Sequence, residues 1–530
     1  MNRRQFLRTS GSLVAASAIA VNRPWRAMAG SSGSETLQLA WARPVDSVGW
    51  LELARFDLTH RGGGGGAEVL LWPGDESRLA AAGIPFEVTV DDLVGRDQAL
   101  PRGPRPSGLA AQPGERDDYR TLADYEADLR DLARARPNLA RTIVLPMKSL
   151  GGRSVLGIEI SENVGAPDGR PTFYMDGVHH AREWPSGEMS MMFAHDLVTR
   201  FGSDPRITRL LRSCRVVVVP IVNPDGFAFS RGFAFDTSTF LSYPIQAVGF
   251  GSYWRKNRRT PSGRSDLFAA EGHAAFGVDP NRNYAKGWGG PGTRPVPLDM
   301  TYPGTAPFSE PESRNVGTTV LSRTVTGVIS NHTYSDLVLR PWGDTRDHCP
   351  DEALLNGLGA AMAKKNGYRN IKGIELYPTT GTMSDWAYAS VGALAYTFEH
   401  GKQNFHPPYA GFIPQTYARN RDAFLLLAEA SADSAHHAVL VGRTTRGGAG
   451  VEAAVRVRRG VSHRTNGGAH DDKFEVAITS NRDGHFAIHL GPSAQPGLAN
   501  PQPYEVLVGR TSVKVEAGRG QRVDLGRLPA

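Results

Sequence analysis

The chain has 530 residues, of which 40% are apolar and 21% charged, a balance that belongs to folded protein in more than one domain and excludes a disordered chain. Its formal charge is +7, but the first 29 residues hold five arginines and no acid, so the remainder carries +2 and shows no basic footprint for nucleic acid. Two cysteines make neither a disulfide framework nor a thiolate zinc site, and Cys214 and Cys349 are expected to stay unpaired.

In chain order, residues 1–29 have a basic start, an apolar stretch over 13–21 and a small-residue exit at Ala27-Met28-Ala29, the pattern of a cleavable export signal. The apolar part is too short to span a bilayer, and no other segment is expected to cross one. Arg3-Arg4 followed by Gln5-Phe6-Leu7 resembles the twin-arginine type of signal, which implies a periplasmic or extracellular destination.

Residues 37–97 read as a small α+β module: "WLELARFDLTH" and "AEVLLW" as strands, then a short helix and a strand ending "FEVTVDDL". The five glycines at 62–66 suit a hairpin loop, since no helix opens after them to cradle a phosphate. Residues 98–118, rich in Pro, Gly and Arg, read as an exposed linker open to proteolysis.

From 119 to 435, short apolar strands alternate with helices: "TLADYEADLRDLARA" and "SGEMSMMFAHDLVTRF" as helices, "CRVVVVPIV", "VTGVISNHTY" and "GALAYTFEHG" as strands, and "RDAFLLLAEASADS" as the last helix. This predicts an α/β unit, a mixed, largely parallel sheet with helices on both faces, whose chemistry sits at the carboxyl ends of the strands. Residues 436–530 break into short alternating strands between Gly, Asn and Pro turns, a β-sandwich pattern with 13 basic against 8 acidic residues.

Three polar clusters follow three of the predicted strands: "HHARE" at 179–183, "NHTY" at 331–334 and "FEHG" at 398–401. Residues three and four apart share a helical side, so either His179 or His180 could meet Glu183, and spacing alone leaves the two tied. If the strands lie side by side, a histidine of the first cluster, Glu183, His332 and Glu399 converge. Two imidazoles and a carboxylate with an open fourth position suit a catalytic zinc, although a lone His-x-x-Glu fits a structural pair equally well.

"GVHHAREW", "NPDGF", "YWRKNRR", "GVDPNRNY", "YPGTAPFSEPES", "NHTY", "ELYPTTGTMSDW" and "YTFEHG" occur in the order and approximate spacing of the zinc carboxypeptidases related to pancreatic carboxypeptidase A, peptidase family M14. The resemblance covers about 119–435. It implies one Zn²⁺ per chain held by His180, Glu183 and His332, because the family pattern is His-x-x-Glu, and leaves His179 to pack beside the site. Asp279 resembles the carboxylate that fixes the tautomer of His180. Glu399 would act as general base on a zinc-bound water and return the proton to the leaving amine.

By the same resemblance Arg255 would stabilise the oxyanion, Asn281 and Arg282 would recognise the terminal carboxylate, and Tyr377 would close over the bound end. Ser384 would floor the side-chain pocket, which favours neutral or apolar C-terminal residues, with Arg340 a further charge if it points inward. The neighbouring Arg258 and Arg259 are expected to be solvated. The implied function is an exported metallocarboxypeptidase acting, as a monomer, on peptides or proteins with a free C-terminus. The rival readings are a muropeptide carboxypeptidase on the same scaffold and a silent surface-binding protein. Residues 37–97 resemble the pro-segments of the family and 436–530 its transthyretin-like sandwiches.

Overall fold

The computed structural model describes residues 36–63, 65–99, 116–232, 251–259, 277–297, 299–402, 404–493 and 502–530. The export-signal segment and most of the 98–118 linker lie outside the described residues.

The N-terminal module is an antiparallel sheet of β1 (Gln38–Ala42), β2 (Asp57–Gly63), β3 (Gly66–Leu71) and β4 (Phe86–Val90), in the order β2-β3-β1-β4. Two expectations need correction. The first half of "WLELARF" is helical, as part of Ser47–Leu53, because the Asp46 side chain caps that helix by accepting from Gly49 N at 2.7 Å. Moreover, Gln38–Ala42, which the sequence reading passed over, pairs with both β3 and β4. The β2–β3 hairpin turns at Gly65, whose φ of +80° suits glycine.

The central sheet contains β5 (Ala140–Val144), β6 (Leu156–Ile160), β7 (Thr172–Asp176), β8 (Arg215–Val219), β9 (Val325–His332), β10 (Leu337–Arg340), β11 (Arg369–Lys372) and β12 (Leu394–Glu399). Its order is β11-β10-β12-β9-β7-β8-β6-β5, with β12, β9, β7 and β8 mutually parallel and antiparallel pairs at β10/β12, β6/β8 and β5/β6. Every residue of β7, β9 and β12 is buried, so these strands carry no in–out alternation. Helices Trp184–Arg200, Met383–Val391 and Tyr409–Ala432 all pack against β9. The last begins well upstream of the expected "RDAFLLL" and runs through Pro414 in its second turn, where the ring removes the backbone hydrogen bond that would go to the Ala410 carbonyl. Cys214 and Cys349 are free, buried thiols.

The C-terminal residues form two four-stranded sheets from β13 (Ala438–Arg446), β14 (Ala449–Gly450), β15 (Ala454–Thr465), β16 (Gly468–Thr479), β17 (His485–Leu490), β18 (Tyr504–Val508), β19 (Thr511–Val515) and β20 (Arg522–Pro529). Strand β15 alternates strictly, and its buried face includes Arg459 and His463. The central unit meets both polar side chains: His463 Nε2 lies 2.9 Å from Ser390 Oγ as well as 2.8 Å from Asp472 of its own sheet, and Arg459 donates to the Ser390 carbonyl at 2.6 Å while its Nε stays buried without a hydrogen-bond partner. Trp386 Nε1 donates to Asp472 at 2.6 Å across the same boundary. The sandwich therefore braces the helix that carries Ser384.

Candidate metal and catalytic centre

Strands β7, β9 and β12 are neighbours in the sheet, so their carboxyl ends meet, with Asp176 opposite Ser330 and His332 opposite Glu399. After β7 the chain passes Gly177, where a Cβ would come within 2.6 Å of the Ser186 carbonyl, and Val178, held at φ +51°. It then enters the helix Trp184–Arg200, with Glu183 in the N-cap position and Pro185 in the first turn.

His180 Nδ1 lies 2.7 Å from Glu183 Oε1, His332 Nδ1 lies 2.8 Å from Glu183 Oε2, and the two Nδ1 atoms are 3.2 Å apart. All three side chains are buried. His180 Nε2 is 3.2 Å from Asp279 Oδ1, off the line of a formed hydrogen bond. His332 Nε2 is 3.3 Å from Ser330 Oγ, which itself donates to Asp176 at 2.8 Å. Asp279 behind His180 favours its Nε2–H tautomer, and His332 has both Ser330 Oγ and the amide donor Asn281 Nδ2 behind it; with Nε2 protonated on each ring, two Nδ1 lone pairs and a carboxylate aim at one point. Such a set repels itself unless a cation sits among it, and two imidazoles with a carboxylate suit zinc. His179 turns away, its Nε2 2.7 Å from the Tyr284 hydroxyl.

Around this cluster Glu399 is buried, and its Oε2 has no hydrogen-bond partner. Burial, joined by the charge of Glu183, pushes its carboxyl well up, against the pull of Arg255 and Arg282. Arg255 gives Nε (3.0 Å) and one terminal nitrogen (2.9 Å) to Asp279 Oδ2, while its other terminal nitrogen, NH1, is buried without a hydrogen-bond partner. Asp279 also accepts from Asn281 N at 2.9 Å. The turn Pro280–Arg282 places Asn281 Nδ2 3.3 Å from His332 Nε2, and buries Arg282, which donates to the Gly292 and Asn281 carbonyls. Tyr377 is buried, which pushes its phenol up to about 12 despite the nearby Arg282. Ser384 Oγ meets Thr397 Oγ1 at 3.0 Å.

In this region one conditional charge is accounted for and one expectation fails. Arg340 does not stand free: its guanidinium is tied to Glu352 at 2.8 Å and Asn370 at 3.2 Å. The basic run is not solvated either. Lys256 is fully buried between the Pro297 and Asp299 carbonyls, and burial pulls its amine down to about 7. Arg258 is buried, with its guanidinium 3.8 Å from the centroid of Phe229, and the half-buried Arg259 pairs with Glu310 at 2.7 Å. Backbone carbonyls and aromatic faces satisfy these cations where the sequence suggested water.

The N-terminal module lies directly on this centre, and its contributions were not foreseen. Asp57 forms a buried bidentate pair with Arg182, at 2.5 and 2.6 Å. Glu68 accepts from Thr59 at 2.7 Å and from the Tyr334 hydroxyl, while the His60 carbonyl accepts from Ser335. The His60 side chain enters the cluster itself, with Nδ1 3.1 Å from Glu399 Oε2. Leu58, Phe56 and Leu79 share an apolar cluster with Leu337, Leu376 and Tyr377. The position of Arg182 between His180 and Glu183 was a signal in the sequence; His60, two residues before the start of the glycine run, gave none beyond its residue type.

A family model described as zinc carboxypeptidase (peptidase M14) matches residues 125–423. Among curated proteins, zinc carboxypeptidase A 1 of Anopheles gambiae is 30% identical over 301 residues, 55% of this chain and 61% of that protein. Carboxypeptidase A1 of Rattus norvegicus is 27% identical over 346 residues, 63% of this chain and 75% of that protein. The chain thus spans less than two thirds of the first relative's length. Among solved structures, the carboxypeptidase A from Helicoverpa armigera superposes with a TM-score of 0.58 at 21% identity, covering 75% of this chain and 97% of that one. Thrombin-activatable fibrinolysis inhibitor gives 0.56 at 22%, covering 75% and 98%. At these identities the superpositions speak to the fold.

Proposed function

Since the chain belongs to the zinc carboxypeptidase family, we propose that it is a zinc metallocarboxypeptidase that removes the C-terminal residue of peptides and proteins. The observation that carries this reading is the convergence of His180, Glu183 and His332 beside the unpartnered carboxylate oxygen of Glu399 and the buried Arg282. His180 and His332, through Nδ1, and Glu183 would hold the ion, with Asp279 orienting His180. When bound, zinc supplies a Lewis acid that acidifies water and polarises a carbonyl.

Glu399 takes the proton of the attacking water and passes it to the leaving amine, for which a raised carboxyl is suited. A zinc cation beside it would draw that carboxyl back down. Arg255, whose NH1 is the buried donor left over after Asp279 is satisfied, donates to the developing oxyanion. Arg255→Gln is expected to lower kcat by about 10²–10³-fold, measured beside the unfolding temperature because Asp279 loses its partner. Arg282 and Asn281 bind the terminal carboxylate and Tyr377 closes over it, while Ser384 leaves room for a neutral or apolar terminal side chain. In the intact chain the N-terminal module covers this centre as a latency device until the 98–118 stretch is cut. Residues 1–29 direct export, and the C-terminal sandwich is a transthyretin-like brace.

The test is digestion of matched peptides with free and amidated C-termini by protein treated briefly with trypsin. Release of C-terminal residues from the free forms alone supports the reading, and no release from a varied panel sinks it. Arg282→Met is expected to raise KM for the free form by about 10²-fold, the loss of a charge-assisted pair of about 2–3 kcal/mol, and to erase most discrimination against the amide. Unchanged discrimination would remove Arg282 from this role.

A further inference from the structure

His60 belongs to the N-terminal module, yet its imidazole is packed among the groups of the proposed metal centre. Its ring stacks on His180 at 6.1 Å between centroids, meets His332 edge-on at 6.2 Å, and stacks with Tyr377 at 5.9 Å. The residue is 4% exposed. A ring nitrogen of His60 and ligand atoms of His180 and Glu183 all lie within 4.8 Å of one another. Ligand atoms of a tetrahedral zinc at about 2.0–2.1 Å stand about 3.3–3.4 Å apart, so a side-chain shift of up to about 1.5 Å brings His60 into bonding range with His180 and Glu183.

The backbone is shaped to deliver this ring. His60 has φ +64°, a left-handed conformation uncommon outside glycine, and the pairing of β2 with β3 changes register between Leu58 and Gly62. A register break in a strand re-aims a side chain, and the His60 carbonyl is pinned to Ser335 of the central unit. The ring gains no ordinary hydrogen bond in return. Nδ1 is 3.1 Å from Glu399 Oε2, but the geometry is off line, and both atoms are buried without a hydrogen-bond partner. Strained backbone and an unsatisfied buried imidazole are costs that a bond to an ion would offset.

We propose that His60 is a fourth ligand of the metal in the intact chain. This rests on the zinc reading of the site. With His180, Glu183 and His332 it makes a closed four-coordinate set, the kind found in structural zinc sites, whereas catalysis needs a position left open. Latency then comes from occupation of the metal as well as from steric cover, and it ends when the module leaves and takes His60 with it.

X-ray absorption of the zinc-loaded, uncut chain counts the imidazoles directly, without any variant. Three are expected in the wild type, and two plus an oxygen donor in His60→Ala. Competition with a chelator should show the uncut wild type holding zinc at least about tenfold more tightly than His60→Ala. Two imidazoles in the uncut wild type, with zinc affinity unchanged by His60→Ala, would overturn the assignment. In that case activity of the linker-cut protein shows that the enzyme reading still stands. If neither form binds zinc, both readings fall.

Discussion

Glu399→Gln in the linker-cut protein is expected to lower kcat by about 10²–10⁴-fold while one zinc per chain stays bound. The amide keeps the size and most of the polarity of the carboxylate but cannot accept a proton from water. Retention of the metal follows because His180, Glu183 and His332 are already within 2.7–3.2 Å of one another without help from Glu399. Stability gives a second readout with the opposite sign. Burial and the charge of Glu183 raise the Glu399 carboxyl above its ordinary value of 4.5. A carboxylate raised in the folded state costs stability at every pH above its unfolded value, so the neutral amide removes that cost at pH 7. The metal-free variant should therefore unfold at a higher temperature than the metal-free wild type. A rise in stability joined to a loss of turnover is the mark of a group kept for chemistry. Full activity, measured with zinc content, would remove Glu399 as the base.

What the sequence made legible was local. The strands at "TFYMD", "VTGVIS" and "ALAYTF" are short, mostly apolar runs that each end in a polar cluster, so a parallel sheet with polar clusters gathered at one edge could be read from pattern, and the motif order led to named residues there. What stayed hidden depends on contacts distant in sequence. "SVGWLEL" carries enough strand-forming character to mislead, and the Asp46 cap decides for helix. The cations of "WRKNRR" look like a solvated run because sequence does not show that carbonyls at 297 and 299, Glu310 and Phe229 will fold around them. His60 is the extreme case: its role depends on a register change in one hairpin and on a partner, Ser335, 275 positions away. Residue type and spacing within the module carry no trace of that docking.

The docking itself turns on one buried ion pair. Asp57→Asn is expected to weaken the hold of the N-terminal module on the central unit by about 3–5 kcal/mol, a factor of roughly 10² to 10³ or more. The two partners are 0–2% exposed, and Arg182 also lies over the Phe405 ring at 4.4 Å, so its charge has no water to fall back on. The intact pair adds little net stability, because desolvating both ions cancels much of their attraction; removing one partner leaves the other's desolvation uncompensated. Burial by itself would raise the Asp57 carboxyl, but Arg182, with smaller help from Arg255 and Trp72, holds it below its ordinary value of 3.8. A depressed carboxyl stabilises docking above that value and loses its contribution only as pH falls below it. The wild-type hold should thus be flat near neutrality and weaken only in strong acid, whereas the asparagine variant should be weak throughout. After the linker is cut, gel filtration over a dilution series should show the module of Asp57→Asn leaving at protein concentrations about 10²–10³-fold higher than those at which the wild-type module leaves, with activity appearing in step in both. A variant whose module stays bound and whose activity stays low would mean that the apolar contacts of Phe56 and Leu58 with Leu337 and Leu376 hold the module without the ion pair.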